Sequence, residues 1–202
     1  MGDGEKIVKA LFLVAQQYSP SIIFIDEIDS ILSARKSDGE HEASRRLKTE
    51  FMVQIDGISP ANDRGSVLLV ACTNCPWDVD SAVLRRFSRR IFVPLPDKEA
   101  RKALLKGLLS KAGKHSLSKS GVSDVAKRLK GFSGSDIQAI ATEASFGPLR
   151  LVGSLEEIRS VRAKDVRPTS IEDFDSAIGQ ATKSVTKEQL KKYNDWQRQQ
   201  GA

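Results

Sequence analysis

At 202 residues the chain is long enough for one substantial core or two small ones. Hydrophobic residues at 40% and charged residues at 29% are those of a globular protein, not of a disordered or fibrous one. The formal net charge of +6 favours acidic partners only weakly. The longest apolar runs, Ile22 to Ile25 and Val67 to Cys72, are far too short to cross a bilayer. Two cysteines make no disulfide framework, and no secretory leader opens the chain, so a reducing, cytoplasmic setting is expected.

Apolar residues from Ile7 to Ala15 fall on a helical stripe that predicts a helix over 5–17, ended by Ser19-Pro20. Ile22 to Ile25 reads as a strand buried on both faces. A helix from about Ile28 to Ala34 follows, then a charged loop from Arg35 to His41, and a long helix from about Ala43 to Ile55. After a turn-rich loop from Gly57 to Gly65, Val67 to Cys72 is the second buried strand and Ile91 to Val93 the third. Strand and helix alternation of this kind predicts an α/β layer with a parallel sheet. Beyond Pro96 the pattern is purely helical, with segments near 98–111, 121–130, 134–146 and 170–181. Ser133 with Asp136, Ser170 with Asp173 and Thr186 with Gln189 are capping boxes, the last opening a helix that carries Leu190, Tyr193 and Trp196 on one side. The expected organisation is an α/β part over 1–96, a helical lid over 97–182 and a C-terminal helix over 183–202.

Three short segments carry chemistry. The strand Ser21 to Ile25 runs into two adjacent carboxylates, Asp26 and Glu27, with Asp29 close behind. At the carboxyl end of a buried strand, Asp26 can hold Mg²⁺ and Glu27 can accept a proton from water attacking a terminal phosphate. The plain alternative is that both cap the following helix. Asn74, at the end of the second strand, can orient that water without competing for the metal, although a turn asparagine also accounts for it. Arg85 and Arg86 stand before the expected third strand and could neutralise transition-state charge on a neighbouring subunit, or form a solvated basic turn. Cys72 and Cys75 have redox or zinc spacing, but no second pair follows, and a buried strand-end cysteine with a chance neighbour is the better reading.

Together these segments resemble the AAA ATPases, in particular the meiotic and microtubule-severing group of spastin, katanin and fidgetin. The likeness runs through Ser21 to Ser33, Glu40 to Phe51, Ala71 to Arg90 and Gly131 to Asp136, and continues in Phe146 to Arg150, Val166 to Pro168 and Ser184 to Trp196. It implies a P-loop NTPase-type parallel sheet lacking its first strands, followed by an all-helical lid. It implies ATP and Mg²⁺ as cofactors, Asp26 and Glu27 as the Walker B carboxylates and Asn74 as sensor 1. Arg85 and Arg86 would be fingers acting on the adjacent subunit. Ser133 to Ser135 match the lid start, so Gly134 and Ser135 would contact the nucleotide. Glu40 to Arg46 match a pore loop, whose Glu40, His41, Arg45 and Arg46 would engage substrate or a neighbour.

The chain departs from that family in having no G-x-x-x-x-G-K-[ST] loop, since Gly113-Lys114-His115 lacks both the spacing and the hydroxyl. It begins where the family has the end of its first pore loop, so truncation is expected and the isolated chain is expected to be inactive. The resemblance also puts a missing strand between Val67–Cys72 and Ile91–Val93, which would leave those two unpaired. The implied parent is a homo-hexameric ATPase that threads a polypeptide, with severing of microtubules through acidic tubulin tails as the first reading. By that resemblance it would be cytoplasmic and cytoskeleton-associated, with no specific nucleic acid and no transmembrane segment. The alternatives are an ATPase that disassembles membrane-remodelling filaments and a non-hydrolytic regulatory or binding subunit; Cys75-Pro76-Trp77 looks closer to katanin and the filament disassemblers than to spastin.

Overall fold

The computed structural model describes residues 2–33, 42–58, 66–152, 155–162 and 164–200. The chain divides into two units, Met1–Ile91 with Arg198–Ala202, and Phe92–Gln197.

The first unit is an α/β layer. Helix α1 (Asp3–Gln17) leads into strand β1 (Ser21–Ile25), the short α2 (Ile28–Ile31), α3 (Glu42–Gly57), strand β2 (Val67–Ala71) and the short α4 (Ser81–Leu84). The two strands are parallel and in register from Ser21 opposite Val67 to Ile25 opposite Ala71. One set of side chains, including Ile23 and Ile25, joins Phe12, Leu32, Phe51 and Val83 in a core. Phe12 and Phe51 meet edge to face at 5.5 Å, which locks α1 to α3.

Two strand expectations change. β1 and β2 are not buried on both faces: Ile22 is 68% exposed, Phe24 62% and Leu68 57%. Period-two alternation sends those side chains to the opposite side of the sheet from Ile23 and Ile25, and no described residue buries them there. Leu11, Val14, Tyr18, Ile22 and Phe24 line a groove of about 300 Å³ beside that bare face. The expected third strand is not formed, and residues 91–93 join no ladder among the described residues, with Ile91 85% exposed. An isolated extended segment has no partner for its amides, so apolar composition alone does not make it a strand.

The second unit is helical: α5 (Lys98–Ala112), α6 (Lys119–Arg128), α7 (Gly134–Arg150), α8 (Leu155–Ser160), α9 (Ile171–Gln180) and α10 (Lys187–Gln200), the last of which runs on past Gln197. Its starts are set by side chains. Asp97 accepts from Ala100 N at 2.8 Å and Ser118 from Gly121 N at 3.1 Å. Ser133 and Asp136 bond reciprocally, as do Thr186 and Gln189. At the third box Ser170 donates both its N–H and its hydroxyl to Asp173, at 2.8 and 3.2 Å. Leu105, Leu129, Ile137 and Phe174 are fully buried between these helices.

α7 runs through Gly147 and Pro148, past the end at 146 that the sequence suggests. Pro148 is buried within the helix, where it cannot donate the usual backbone bond. Gly147 is required by close approach: a Cβ there would stand 2.2 Å from Asp173 Oδ1. Asp173, itself buried, accepts from both terminal guanidinium nitrogens of Arg167, each at 2.7 Å. That hydrogen bonding keeps its carboxyl below the usual range in spite of burial.

Candidate functional site

The carboxylate pair sits where two parallel strands end together. Beyond the last residues of the strands the ladder continues, with Cys72 N donating to Ile25 O at 2.8 Å and Ile28 N to Cys72 O at 3.0 Å. These two bonds bracket Asp26 and Glu27 against the start of the Cys72–Asn74 turn. Asp26 Oδ1 accepts the Glu27 N–H at 2.9 Å. Glu27 has φ 49° and ψ 49°, the one non-glycine residue with positive φ among those described. A left-handed glutamate costs on the order of 1–2 kcal/mol, and such outliers concentrate at functional sites. Both carboxylates are exposed, and the Glu27 side chain makes no capping bond to α2 although it occupies the position for one.

Thr73 ties the two strand ends together. Its hydroxyl donates to Asp29 Oδ1 at 2.5 Å and accepts the Cys75 N–H at 2.9 Å, which fixes the turn carrying the exposed Asn74. The order of residues does not pair Thr73 with Asp29, because they stand 44 residues apart. Cys72, expected inside the second strand, lies one residue past β2 and is exposed.

The arginines hang from α4. Asp80 caps that helix by accepting from Ala82 N at 2.8 Å and is gripped by Lys48 Nζ at 2.5 Å, which also donates to Ser33 O at 3.1 Å. The Lys48 bond, then the Ala82 amide, hold the Asp80 carboxyl below its usual range. Ser33 bridges Val79, so the same tie reaches the chain that follows α2. From the end of α4 the exposed Arg85 donates to Ser81 O at 3.3 Å. Arg86 forms a two-pronged pair with Asp56, at 2.6 and 2.8 Å, near the end of α3. Arg86 therefore pairs with Asp56 and not with Asp26 or Glu27.

Arg45 and Arg46 are exposed in the first turns of α3, where Arg46 pairs with Glu42 one turn earlier. Glu40 and His41, expected in the same pore loop, lie outside the described residues. Gly134 and Ser135 are exposed at the first turn of α7. There Ser184 donates its N–H and hydroxyl to Asp136 at 3.3 and 3.0 Å, clamping the chain before α10 onto the start of that helix.

No group of three metal-binding side chains occurs among the described residues, and no helix there is long and apolar enough to cross a membrane. The family profile described as "ATPase family associated with various cellular activities (AAA)" matches residues 1–95. Spastin of Naegleria gruberi is 46% identical over 99% of this chain, and human spastin is 43% identical over 100% of this chain. The chain belongs to the AAA family. It spans 38% of the Naegleria protein and 32% of the human one, so it corresponds to a part of each. Among solved structures, the AAA domain of FIGL-1 in complex with ADP superimposes with a TM-score of 0.86 at 37% identity. That match covers 98% of this chain and 64% of that one. A structure concerned with katanin self-assembly gives 0.72 at 36% identity, covering 95% of this chain and 63% of that one. This AAA chain is thus related to the spastin, fidgetin-like and katanin proteins over nearly its whole length.

Proposed function

We propose that this chain carries the water-activating half of an ATPase site in a ring-forming motor that pulls on a polypeptide. The observation that carries this reading is the Asp26–Glu27 pair at the shared end of two parallel strands, with Glu27 in a strained left-handed backbone and its side chain unused as a cap. Parallel α/β sheets bind ligands at the carboxyl ends of their strands.

In that role Glu27 takes the proton from the attacking water, and Asn74, fixed by the Thr73–Asp29 bond, orients it. Asp26 offers the hard carboxylate oxygen that Mg²⁺ prefers. Mg²⁺ keeps several waters and takes the phosphate oxygens as ligands, so one protein carboxylate can contribute to holding it. Bound with ATP, Mg²⁺ would neutralise charge on the transferred phosphoryl group. Gly134 and Ser135 offer the exposed start of α7 to the nucleotide, where unpaired helix amides favour anions.

Arg85 and Arg86 would act on the nucleotide of the adjacent subunit, and Arg86 must exchange its bond to Asp56 to do so. Glu40, His41, Arg45 and Arg46 would face the threaded polypeptide. Spastin relatives and a self-assembling katanin support a hexamer acting on microtubules through acidic tubulin tails, in the cytoplasm or on the cytoskeleton. Without a phosphate-binding loop the 202-residue chain alone would not turn over ATP. The full-length protein would supply that loop together with cover for the bare sheet face.

The test is Glu27→Gln in the full-length protein. ATP binding should persist while single-turnover hydrolysis falls by about 10²–10⁴-fold, the usual loss on removing a general base. Hydrolysis within twofold of the parent would remove Glu27 from the role of base.

A further inference from the structure

A serine or threonine with an arginine three residues before it occurs at three places in the sequence: Thr49 after Arg46, Ser88 after Arg85 and Ser170 after Arg167. Ser88 alone of these has a second arginine, Arg86, two residues before it. Arginines in those positions are the charge pattern by which protein kinases with an acidic substrate cleft choose a hydroxyl.

The surroundings of the three hydroxyls separate them. Thr49 lies inside α3, where its hydroxyl donates to Arg45 O at 2.9 Å. Ser170 caps α9 and gives both its N–H and its hydroxyl to Asp173. Ser88 is exposed, and its hydroxyl forms no hydrogen bond among the described residues. It stands past α4, in a stretch over 87–97 that is neither helix nor strand, so an enzyme can draw it out without breaking a regular element. Arg90 donates to Leu84 O at 3.0 Å, which ties the ends of the turn, and Ser88 lies on the exposed part between them. Both arginines that precede it are also at the surface. Arg85 donates to Ser81 O at 3.3 Å, and Arg86 pairs with the exposed Asp56.

We propose that Ser88 is a phosphorylation site for a serine/threonine kinase of the basic-directed class, which reads Arg85 and Arg86. In the transfer, Ser88 Oγ bonds to the γ-phosphorus of ATP while the bond from that phosphorus to the ADP oxygen breaks. The hydroxyl proton passes to the kinase's catalytic carboxylate. Residues 85–90 contain four arginines and no carboxylate, so the formal charge of the turn falls from +4 to about +2 on phosphorylation. The phosphate oxygens are strong acceptors for guanidinium groups and compete with Asp56 for Arg86. The assignment rests on the setting of the hydroxyl and is independent of any role of the two arginines towards nucleotide.

The experiment treats the 202-residue chain with Mg²⁺, γ-labelled ATP and the catalytic subunit of cAMP-dependent protein kinase as the probe enzyme. Labelled positions are located by mass spectrometry of the digested chain. Incorporation should approach about one phosphate per chain, on Ser88. Ser88→Ala should remove most of the label, and Ser88→Thr should restore it at the same position. Replacing Arg85 and Arg86 together by Lys keeps the charge but removes the guanidinium forks. It should slow labelling about fivefold, as for one or two lost hydrogen bonds. Labelling of Thr49 or Ser170 as fast as Ser88 would overturn the proposal, since the exposed turn would then not be what selects the site. So would a chain left unlabelled at Ser88, or a Ser88→Ala variant labelled as fully as the parent.

Discussion

The two units bury their apolar residues to different degrees. In the helical unit, α5, α6, α7 and α9 close around Leu105, Leu129, Ile137 and Phe174, and all four of these side chains are inaccessible to solvent. In the α/β unit the sheet is closed on one side only, with Ile22, Phe24, Leu68 and Val70 open on the other. Monomeric proteins seldom leave a contiguous apolar sheet face uncovered. The half of the chain that carries Asp26 and Glu27 is therefore the half whose packing is less complete. The structural relatives, of whose chains this one covers 63–64%, have additional residues that could cover such a face.

The largest single effect should come from the closest packing in the helical unit. In Gly147→Ala the new methyl would meet Asp173 Oδ1 at 2.2 Å, against a carboxylate already fixed on its other side by Arg167. A loss of about 3 kcal/mol is expected from overpacking and disruption of that network. The two tryptophans allow this to be assigned, since Trp77 lies in the first unit and Trp196 in the second. Urea unfolding followed by Trp196 in a Trp77→Phe background should shift strongly, and unfolding followed by Trp77 in a Trp196→Phe background should hardly move. Equal shifts would show that the two units unfold as one.

A smaller and pH-dependent effect is expected from Arg167→Ala. It strands a buried carboxylate and should cost about 2 kcal/mol at pH 7. Asp173 has its carboxyl held below the usual 3.8, first by the hydrogen bond from Arg167. Because the folded value is the lower one, the contribution of the pair is present above about pH 4. It is lost as pH falls from 3.8 through the folded value. The difference between parent and variant, read from Trp196 unfolding, should therefore shrink between pH 5 and pH 2.5. A difference that stays constant over that range would show that the pair does not stabilise the helical unit.

Much of this was legible in the chain, for physical reasons that differ by element. Helix starts were visible because a capping side chain lies three residues from its amide, as with Ser133 and Asp136. Strands β1 and β2 were visible as apolar runs, but an apolar run does not reveal what packs on each face, so the exposure of Phe24 was not. Ile91 to Val93 misled for a related reason, since a strand requires a partner and composition does not supply one. The carboxylates at the end of β1 could be named from their order alone. Their surroundings could not, because Thr73–Asp29, Lys48–Asp80 and Arg86–Asp56 join residues 30 to 44 apart. Gly147 went unnoticed because its constraint comes from α9, and only the folded chain brings Asp173 against it.

Native-state amide exchange on the 202-residue chain tests the contrast between the two units most directly. Amides of Leu105, Ile140 and Phe174 should exchange at least about tenfold more slowly than those of Ile22 to Ile25 and Val67 to Ala71. Each tenfold corresponds to about 1.4 kcal/mol in opening free energy. Equal, strong protection of both strands and of these helices would contradict it. That result would mean the sheet is as firmly closed as the helical bundle, despite the exposure of Ile22, Phe24 and Leu68.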